Sequence, residues 1–271
     1  MIFLITALQS EARPLVDFFH LGGSDASSPF RTYRNGELTL VVSGVGRIAS
    51  AAATAYAFAR AGEPRNRPWL NVGIAGHPSA EVGSCWLANK IFDPSNGRAW
   101  YPSLVFDSRL PTAEVVTVDR PESRFEREAL YDMEAAAFFA IASRFAPVEL
   151  VQVLKVVSDN REAPASGLEP AEVSRLIGAR VEMIAALVEQ TRGLADELAG
   201  RLVNGPLDLE PWIGDRHVTV SQRRKLSDLL RRLAVLEGEV GPSPGEFSGA
   251  EDARDLLLAL EERLERQGVA F

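Results

Sequence analysis

The chain has 271 residues, 46% hydrophobic and 24% charged, with a formal charge of -8 and a pI near 5.1. Those fractions exclude disordered, collagen-like and fibrous chains, and the acidic balance argues against a general binder of nucleic acid or anionic membranes. A lone cysteine, Cys85, cannot form an intramolecular disulfide, and His20, His77 and His217 are too scattered for zinc-ligand spacing, so neither metal nor cofactor is expected. The apolar start is too short for a signal-peptide core, and no apolar run reaches the roughly 18 residues of a membrane span. A soluble cytoplasmic protein is the expectation.

Residues Ile2–Ala7 read as a buried strand that feeds a helix beginning at Ser10-Glu11. Asn35-Gly36 is a hairpin signal between Phe30–Arg34 and Leu38–Val42. Ser43-Gly44-Val45-Gly46-Arg47 forms a turn that opens an alanine-rich helix over Ile48–Ala61. It is not a dinucleotide fingerprint, because the third glycine is missing. Further apolar runs at Trp69–Ile74, Ser84–Phe92, Val115–Val118 and Leu150–Val157 read as strands, with helical composition over Asp132–Phe145. This alternation predicts an α/β body with a mixed or mostly parallel sheet.

Beyond Pro170 the strand signal ends. Ala171–Leu202 is helical in pattern, Asn204-Gly205-Pro206 breaks the chain, and Val220–Glu239 and Gly249–Gln267 read as two further helices. Between these two lies the turn-rich Gly241-Pro242-Ser243-Pro244-Gly245. The expected division is a body over residues 1–192 and a helical C-terminal extension over residues 193–271.

Four constellations fall where a strand ends, which is where open α/β sheets bind ligands. Glu11 stands at the start of the first helix, where a carboxylate also suits the helix dipole. Asn71-Val72-Gly73-Ile74-Ala75-Gly76-His77 offers small residues that let a ligand approach the backbone, or simply a tight turn. In Asp132-Met133-Glu134, an acid entering an apolar helix is costly unless it caps the helix or meets a ligand; Asp132 suits the cap, and Glu134, at the edge of the apolar face, is harder to explain. Ser158-Asp159-Asn160 closes an apolar strand with a candidate acid or base, or with an Asx-turn. His77 is expected as a solvent-exposed loop residue and Cys85 as a small core residue.

Taken in order, Glu11, Ser43-Gly44-Val45-Gly46, Asn71-x-Gly73-x-Ala75-Gly76, Val82-Gly83, Asp132-Met133-Glu134-Ala135 and Ser158-Asp159 resemble the signature of the purine nucleoside phosphorylase superfamily. The nearest branch is that of the 5'-methylthioadenosine/S-adenosylhomocysteine nucleosidases, over about the first 190 residues. The resemblance implies a three-layer fold with a central mixed β-sheet flanked by helices, here with the helical appendage added. It implies that Glu11 deprotonates the attacking water and that Asp159, supported by Ser158, protonates or hydrogen-bonds purine N7. Met133 and Glu134 would lie under the sugar, and Ala75 and Gly76 would line the substrate. It further implies a homodimer acting on a small-molecule nucleoside. The chemistry suits the residues, because cleaving an N-glycosidic bond needs an acid for the leaving base and a base for the nucleophile.

The chain departs from that pattern in several places, among them a short insert between Phe92 and Val115. Ile74 stands where a small hydroxyl residue is usual, His77 where a second glycine is, and Val116–Pro121 lacks the aromatic residue that stacks on the base. Either Phe125 supplies that ring or base recognition differs. A phosphorylase would need an anion site, for which Arg13, Arg47 and the hydroxyls of Ser10 or Ser43 are near the right loops. Glu11 would repel phosphate and favour water, so hydrolysis of a purine nucleoside or a 5'-modified adenosine is the expectation. Phosphorolysis, or nucleoside binding without turnover, is the alternative. In the extension, the basic cluster Arg223-Arg224-Lys225 with Arg231-Arg232 shares its helix with acidic residues and reads as a solvated face. The leucine stripes Leu226–Leu236 and Leu256–Leu264 should pack on each other, with more apolar surface than an isolated helical pair can hide.

Overall fold

A computed structural model describes the chain except residues 24–27, 107–108, 165–167, 202–207, 238–241 and 268–271, with backbone only at 200 and 201. The expected break at Asn204-Gly205-Pro206, the start of the Gly241 link and the outer helix ends at Leu202 and Glu239 lie outside the described residues. The chain divides into two compact units, Met1–Ala195 and Asp196–Phe271.

The first unit is built on a mixed nine-stranded sheet. Strand β1 (Ile2–Thr6) runs parallel between β3 (Leu38–Val42) and β4 (Trp69–Gly76), and β2 (Arg31–Arg34) closes that edge as an antiparallel hairpin partner of β3. Strand β9 (Val151–Asp159) lies parallel to β4 and antiparallel to β5 (Cys85–Asp93). With partners on both sides and both faces covered, β9 is buried at every position, which is why its sequence is a nearly continuous apolar run. Strand β7 (Thr112–Thr117) pairs with β5 and with β8 (Leu130–Asp132), and β8 touches β4 at one point, Gly76 opposite Tyr131. The pairings β4–β8–β7–β5–β9–β4 therefore close a ring, where the sequence suggests only an open sheet.

Helices α1 (Gln9–Phe18), α2 (Arg47–Arg60), α3 (Ala135–Ala142), α4 (Pro170–Gly178) and, as far as Ala195, α5 (Val181–Arg201) flank this sheet. Helix α1 packs on α4 and α2 on α3. The alanine-rich sequences of α2 and α3 allow close approach, and α3 buries Phe138 and Phe139 completely. A large apolar core joins Leu4, Leu40, Leu70 and Val72 to Leu15, Leu176 and Ile184.

Three expectations are corrected here. The helix expected over Asp132–Phe145 begins at Ala135, because Leu130–Asp132 finds a ladder partner in β7. The single helix expected from Ala171 is two, parted after Gly178, where Arg180 turns back to donate to the Gly83 carbonyl at 2.6 Å. A short strand, β6 (Arg98–Trp100), pairs with β5 where none was expected.

The second unit holds α6 (Glu210–Ile213), α7 (Val220–Glu237) and α8 (Ala253–Arg266). Leu226, Leu229, Leu230 and Leu233 of α7 meet Leu256, Leu257, Leu260 and Leu264 of α8, with Trp212 and Ile213 filling one end. The two stripes thus hide in each other. The expected surplus of apolar surface shrinks to single residues such as Leu236 and Leu258, which point outward. Arg223 pairs with Glu210 at 3.0 Å and Lys225 with Glu261 at 2.6 Å, so two members of the basic cluster are matched by carboxylates. Among the described residues, no helix is long and apolar enough to cross a membrane.

Candidate active site

A cavity of about 300 Å³ opens in the first unit at the ends of β4, β8 and β9 and the turns that follow β1, β3 and β7. Its size is at the lower end of the roughly 300–1,000 Å³ usual for small-molecule sites. Glu11, Ala75, Gly76, Met133, Glu134, Ser158 and Asp159, far apart in the sequence, all line it.

Glu11 belongs to the first turn of α1 and is buried. Its Oε2 accepts the amides of Ala7 and Leu8, both at 2.8 Å, and its Oε1 accepts the amide of Ile74 at 2.9 Å. Two donors fill Oε2, whereas Oε1 keeps acceptor capacity free for a ligand. Burial pushes this carboxyl above its ordinary range, against the opposing pull of the Lys155 charge and the three amides.

Strand β4 makes room for two carboxylates through two glycines. A Cβ on Gly73 would stand 2.7 Å from Glu11 Oε1, and one on Gly76 would stand 2.7 Å from Asp159 Oδ2. Neither glycine is needed for an unusual backbone angle; both are needed for close approach. A bulge between Ala75 and Gly76 shifts the register so that Asp159, and not Ser158, falls opposite Gly76. The Ser158 hydroxyl donates to Asp159 Oδ1 at 2.6 Å, leaving Oδ2 on the Gly76 side. Burial raises the Asp159 pKa, partly offset by the Ser158 hydrogen bond, which favours a protonated acid.

Glu134 precedes α3, and its Oε1 accepts the Gly46 amide at 2.7 Å, tying the turn after β3 to the turn after β8. Burial and the nearby Asp132 push its carboxyl up to about 7. Asp132 does cap α3, accepting the Ala135 amide at 2.8 Å, but it is also held by the Thr117 hydroxyl and by Lys155 Nζ, each at 2.8 Å. Lys155 is fully buried in mid-β9, opposite Gly73. Burial works against its charge, and Asp132, Glu134 and Glu11 together outweigh that cost and raise its pKa. Sequence reading missed this lysine, although a lysine inside an otherwise apolar strand is itself the signal of a buried charge partner.

The remaining candidates lie elsewhere. His77 is buried, not exposed; its ring stacks on Trp86 and its Nδ1 accepts the amides of Ser79 and Ala80 at 3.2 and 2.9 Å, so it completes a turn and does not line the cavity. Arg13 is exposed, and Arg47 is held by Asp93 at 3.0 Å, by Asp119 and by the Thr117 carbonyl; neither reaches the cavity wall. Ser43 spends its hydroxyl on the backbone, toward the Thr6 and Gly44 carbonyls. Phe125 is buried edge-on against Tyr131, with ring centroids 5.7 Å apart, and the aromatic ring on the cavity wall is that of Tyr131. Glu122, not singled out by the sequence, lines the cavity beside Val118 and Pro121.

This ring of strands, with carboxylates gathered at its end, is the nucleoside phosphorylase/nucleosidase fold, as its likeness to solved structures shows. Among those structures is a Helicobacter pylori 5'-methylthioadenosine/S-adenosylhomocysteine nucleosidase, 15% identical, with a TM-score of 0.57 over 70% of this chain and 97% of that one. Futalosine hydrolase of Helicobacter pylori strain 26695 is 16% identical, with a TM-score of 0.57 over the same shares of the two chains. Arabidopsis thaliana 5'-methylthioadenosine nucleosidase is 18% identical, with a TM-score of 0.57 over 71% of this chain and 96% of that one. No protein-family model and no curated protein sequence matches the chain.

Proposed function

We propose that the chain hydrolyses the N-glycosidic bond of a purine nucleoside, releasing the free base. The observation that carries this reading is the electrostatics of the cavity wall. Its ionised or ionisable acids are Glu11, Glu122, Asp132, Glu134 and Asp159, and no arginine or lysine lines it among the described residues. Four amides around the cavity are already taken: those of Ala7, Leu8 and Ile74 by Glu11, and that of Gly46 by Glu134. A phosphate would meet like charge here, whereas water meets a base.

In this mechanism Asp159 gives its proton to N7 as the C1'–N9 bond breaks and the bonding electrons pass to the purine. Glu134 accepts hydrogen bonds from ribose hydroxyls, and its negative charge favours the cationic sugar. Water adds at C1' and its proton goes to Glu11 Oε1, the oxygen with capacity to spare. The products are free base and sugar.

The same proposal includes a cytoplasmic homodimer. Val45 lines the cavity yet is 52% exposed, and Ile48, three residues further along, is 87% exposed; exposed apolar residues of this kind are what a second copy would cover. Incubation with a panel of purine nucleosides, with and without phosphate, tests the reading. Free base and free sugar without phosphate are expected; ribose 1-phosphate formed only with phosphate would replace hydrolysis by phosphorolysis.

A further inference from the structure

Arg47 opens α2 and stays outside the cavity wall, yet its guanidinium ties the turn after β3 to the ends of β5 and β7. One nitrogen donates to Asp93 Oδ1 at 3.0 Å and to the Thr117 carbonyl, and another donates to Asp119. Asp119 is 80% exposed and adds little, whereas the side chains of Arg47 and Asp93 are 18% and 6% exposed. Asp93 is itself fixed: the amide and hydroxyl of Ser95 donate to its Oδ1 at 3.0 and 2.7 Å, and Asn96 Nδ2 donates to its Oδ2 at 2.9 Å. Burial works against its charge, but Ser95 and Arg47 outweigh that cost and hold its carboxyl below the ordinary range. The Arg47 Nε–H, by contrast, is buried with no hydrogen-bond partner among the described residues. A buried donor left unpaired costs stability, so packing alone does not account for an arginine here.

Both ends of this strap lead to Glu134. On one side the Gly46 amide, next to Arg47 in the chain, donates to Glu134 Oε1 at 2.7 Å and is the one hydrogen-bond donor on that carboxylate among the described residues. Gly46 sits at φ 97°. Glycine has the freest backbone of any residue, so the direction of this amide depends on what holds the turn. On the other side is Thr117, whose carbonyl Arg47 holds. Its hydroxyl donates to Asp132 Oδ1 at 2.8 Å and accepts the Ala136 amide at 3.0 Å, fixing the chain on both sides of Glu134. Arg47 thus sets the distance between the amide that aims the Glu134 carboxylate and the backbone that carries it.

We propose that Arg47 is a positioning residue for substrate binding: by strapping the turn after β3 to the ends of β5 and β7, it aims Glu134 at the ribose hydroxyls. With Oε1 held by Gly46, Oε2 is the oxygen left to accept from the sugar. Without the strap the turn after β3 carries its amide away from Glu134, and the carboxylate must be ordered again each time a sugar binds. A group fixed in advance loses less entropy on binding, which is what the strap contributes. The inference rests on the reading of Glu134 as the group that accepts hydrogen bonds from ribose hydroxyls.

Equilibrium dialysis of the full chain against adenosine, guanosine and inosine, each beside its 2',3'-dideoxy counterpart, tests it without requiring turnover. Arg47→Met keeps most of the side chain's length and removes its charge and donors. It should weaken the ribonucleosides ~10-fold and the dideoxynucleosides by no more than ~2-fold, because only the hydroxyls meet Glu134. Asp93→Asn, which loosens the strap from its other end, should show the same selective loss and serves if the first variant does not fold. Hydrogen exchange gives a second reading: the Gly46 amide should exchange ~10-fold faster in either variant, while amides in the middle of α2 keep their protection. If Arg47 served stability alone, both kinds of nucleoside would weaken together and Gly46 would stay as protected as before. Either result overturns the inference, as does an unaltered chain that binds dideoxynucleosides as tightly as ribonucleosides. Selective weakening without release of free base overturns hydrolysis and leaves the positioning role intact; no binding of any nucleoside overturns both.

Discussion

The two units bury different things. Among the described residues, every buried polar or charged side chain belongs to the first unit, from Thr6 and Glu11 to Thr191. The second unit buries Trp212, Ile213, Ala253 and a set of leucines, and keeps its charges in pairs such as Lys225–Glu261 and Arg263–Glu237 on or near its surface. An apolar core is the cheaper solution when stability is the only requirement, since buried ions lose hydration that their partners only partly restore. A unit that holds Glu11, Asp132, Glu134 and Lys155 out of water, with each carboxylate aimed by backbone amides or by the lysine, retains them for another reason. On the proposed function, the contrast separates a region built for chemistry from one built for packing.

The largest expected effect breaks the chemistry without touching the packing. Asp159→Asn removes a proton and almost no volume, and should lower nucleoside turnover by about 10²–10⁴-fold while the melting temperature holds. Turnover within a factor of a few of the unaltered chain would remove Asp159 from the role of acid.

Next comes a pair of substitutions, one in each unit. Lys155→Met strands Asp132 and Glu134 without their cation and should cost about 3–5 kcal/mol in denaturant unfolding of the first unit. Leu233→Ala opens a void in the leucine cluster and should cost about 2–5 kcal/mol in the second. The difference to look for is in pH. The lysine variant should recover stability as acid protonates the carboxylates, and the leucine variant should not. Equal pH dependence would mean that the buried ions of the first unit are not coupled.

The smallest effect sharpens the same point. An unfolded glutamate titrates near 4.5, and Glu134 in the folded chain titrates at about 7. The folded state therefore binds the proton more tightly, so the stability this group contributes is complete below 4.5 and is lost as pH rises through about 7. Glu134→Gln should flatten that decline and melt above the unaltered chain at alkaline pH. A variant that melts lower there would show that the ionised form is the one the fold prefers.

Much of this was legible in the sequence because it is written in local patterns. Alternating apolar runs and glycine turns marked β1, β3, β4, β5, β7 and β9, and polar residues at strand ends marked Glu11, Glu134 and Asp159. What was not legible depends on contacts between distant segments. Closure of the ring rests on a single meeting of Gly76 with Tyr131, which no periodicity records. Asp132 joins a strand because β7 is there to pair with it, although its neighbours favour helix. His77 is buried by Trp86, nine residues further along on another strand. Glu122 lies in a segment without regular structure, where its carboxylate acquires meaning only from the cavity it faces.

The central claim, that the buried carboxylates of the first unit divide acid and base work on one nucleoside, is tested most directly by the pH dependence of kcat/KM for release of free base in phosphate-free buffer. Asp159 must hold its proton and Glu11 must have lost its own, and burial raises the pKa of both. The account predicts a bell: activity falls on the acid side as Glu11 is protonated and on the alkaline side as Asp159 ionises, with Asp159→Asn abolishing the alkaline limb along with most of the rate. A profile that is flat across both limbs, or base release that occurs only when phosphate is added, would contradict it.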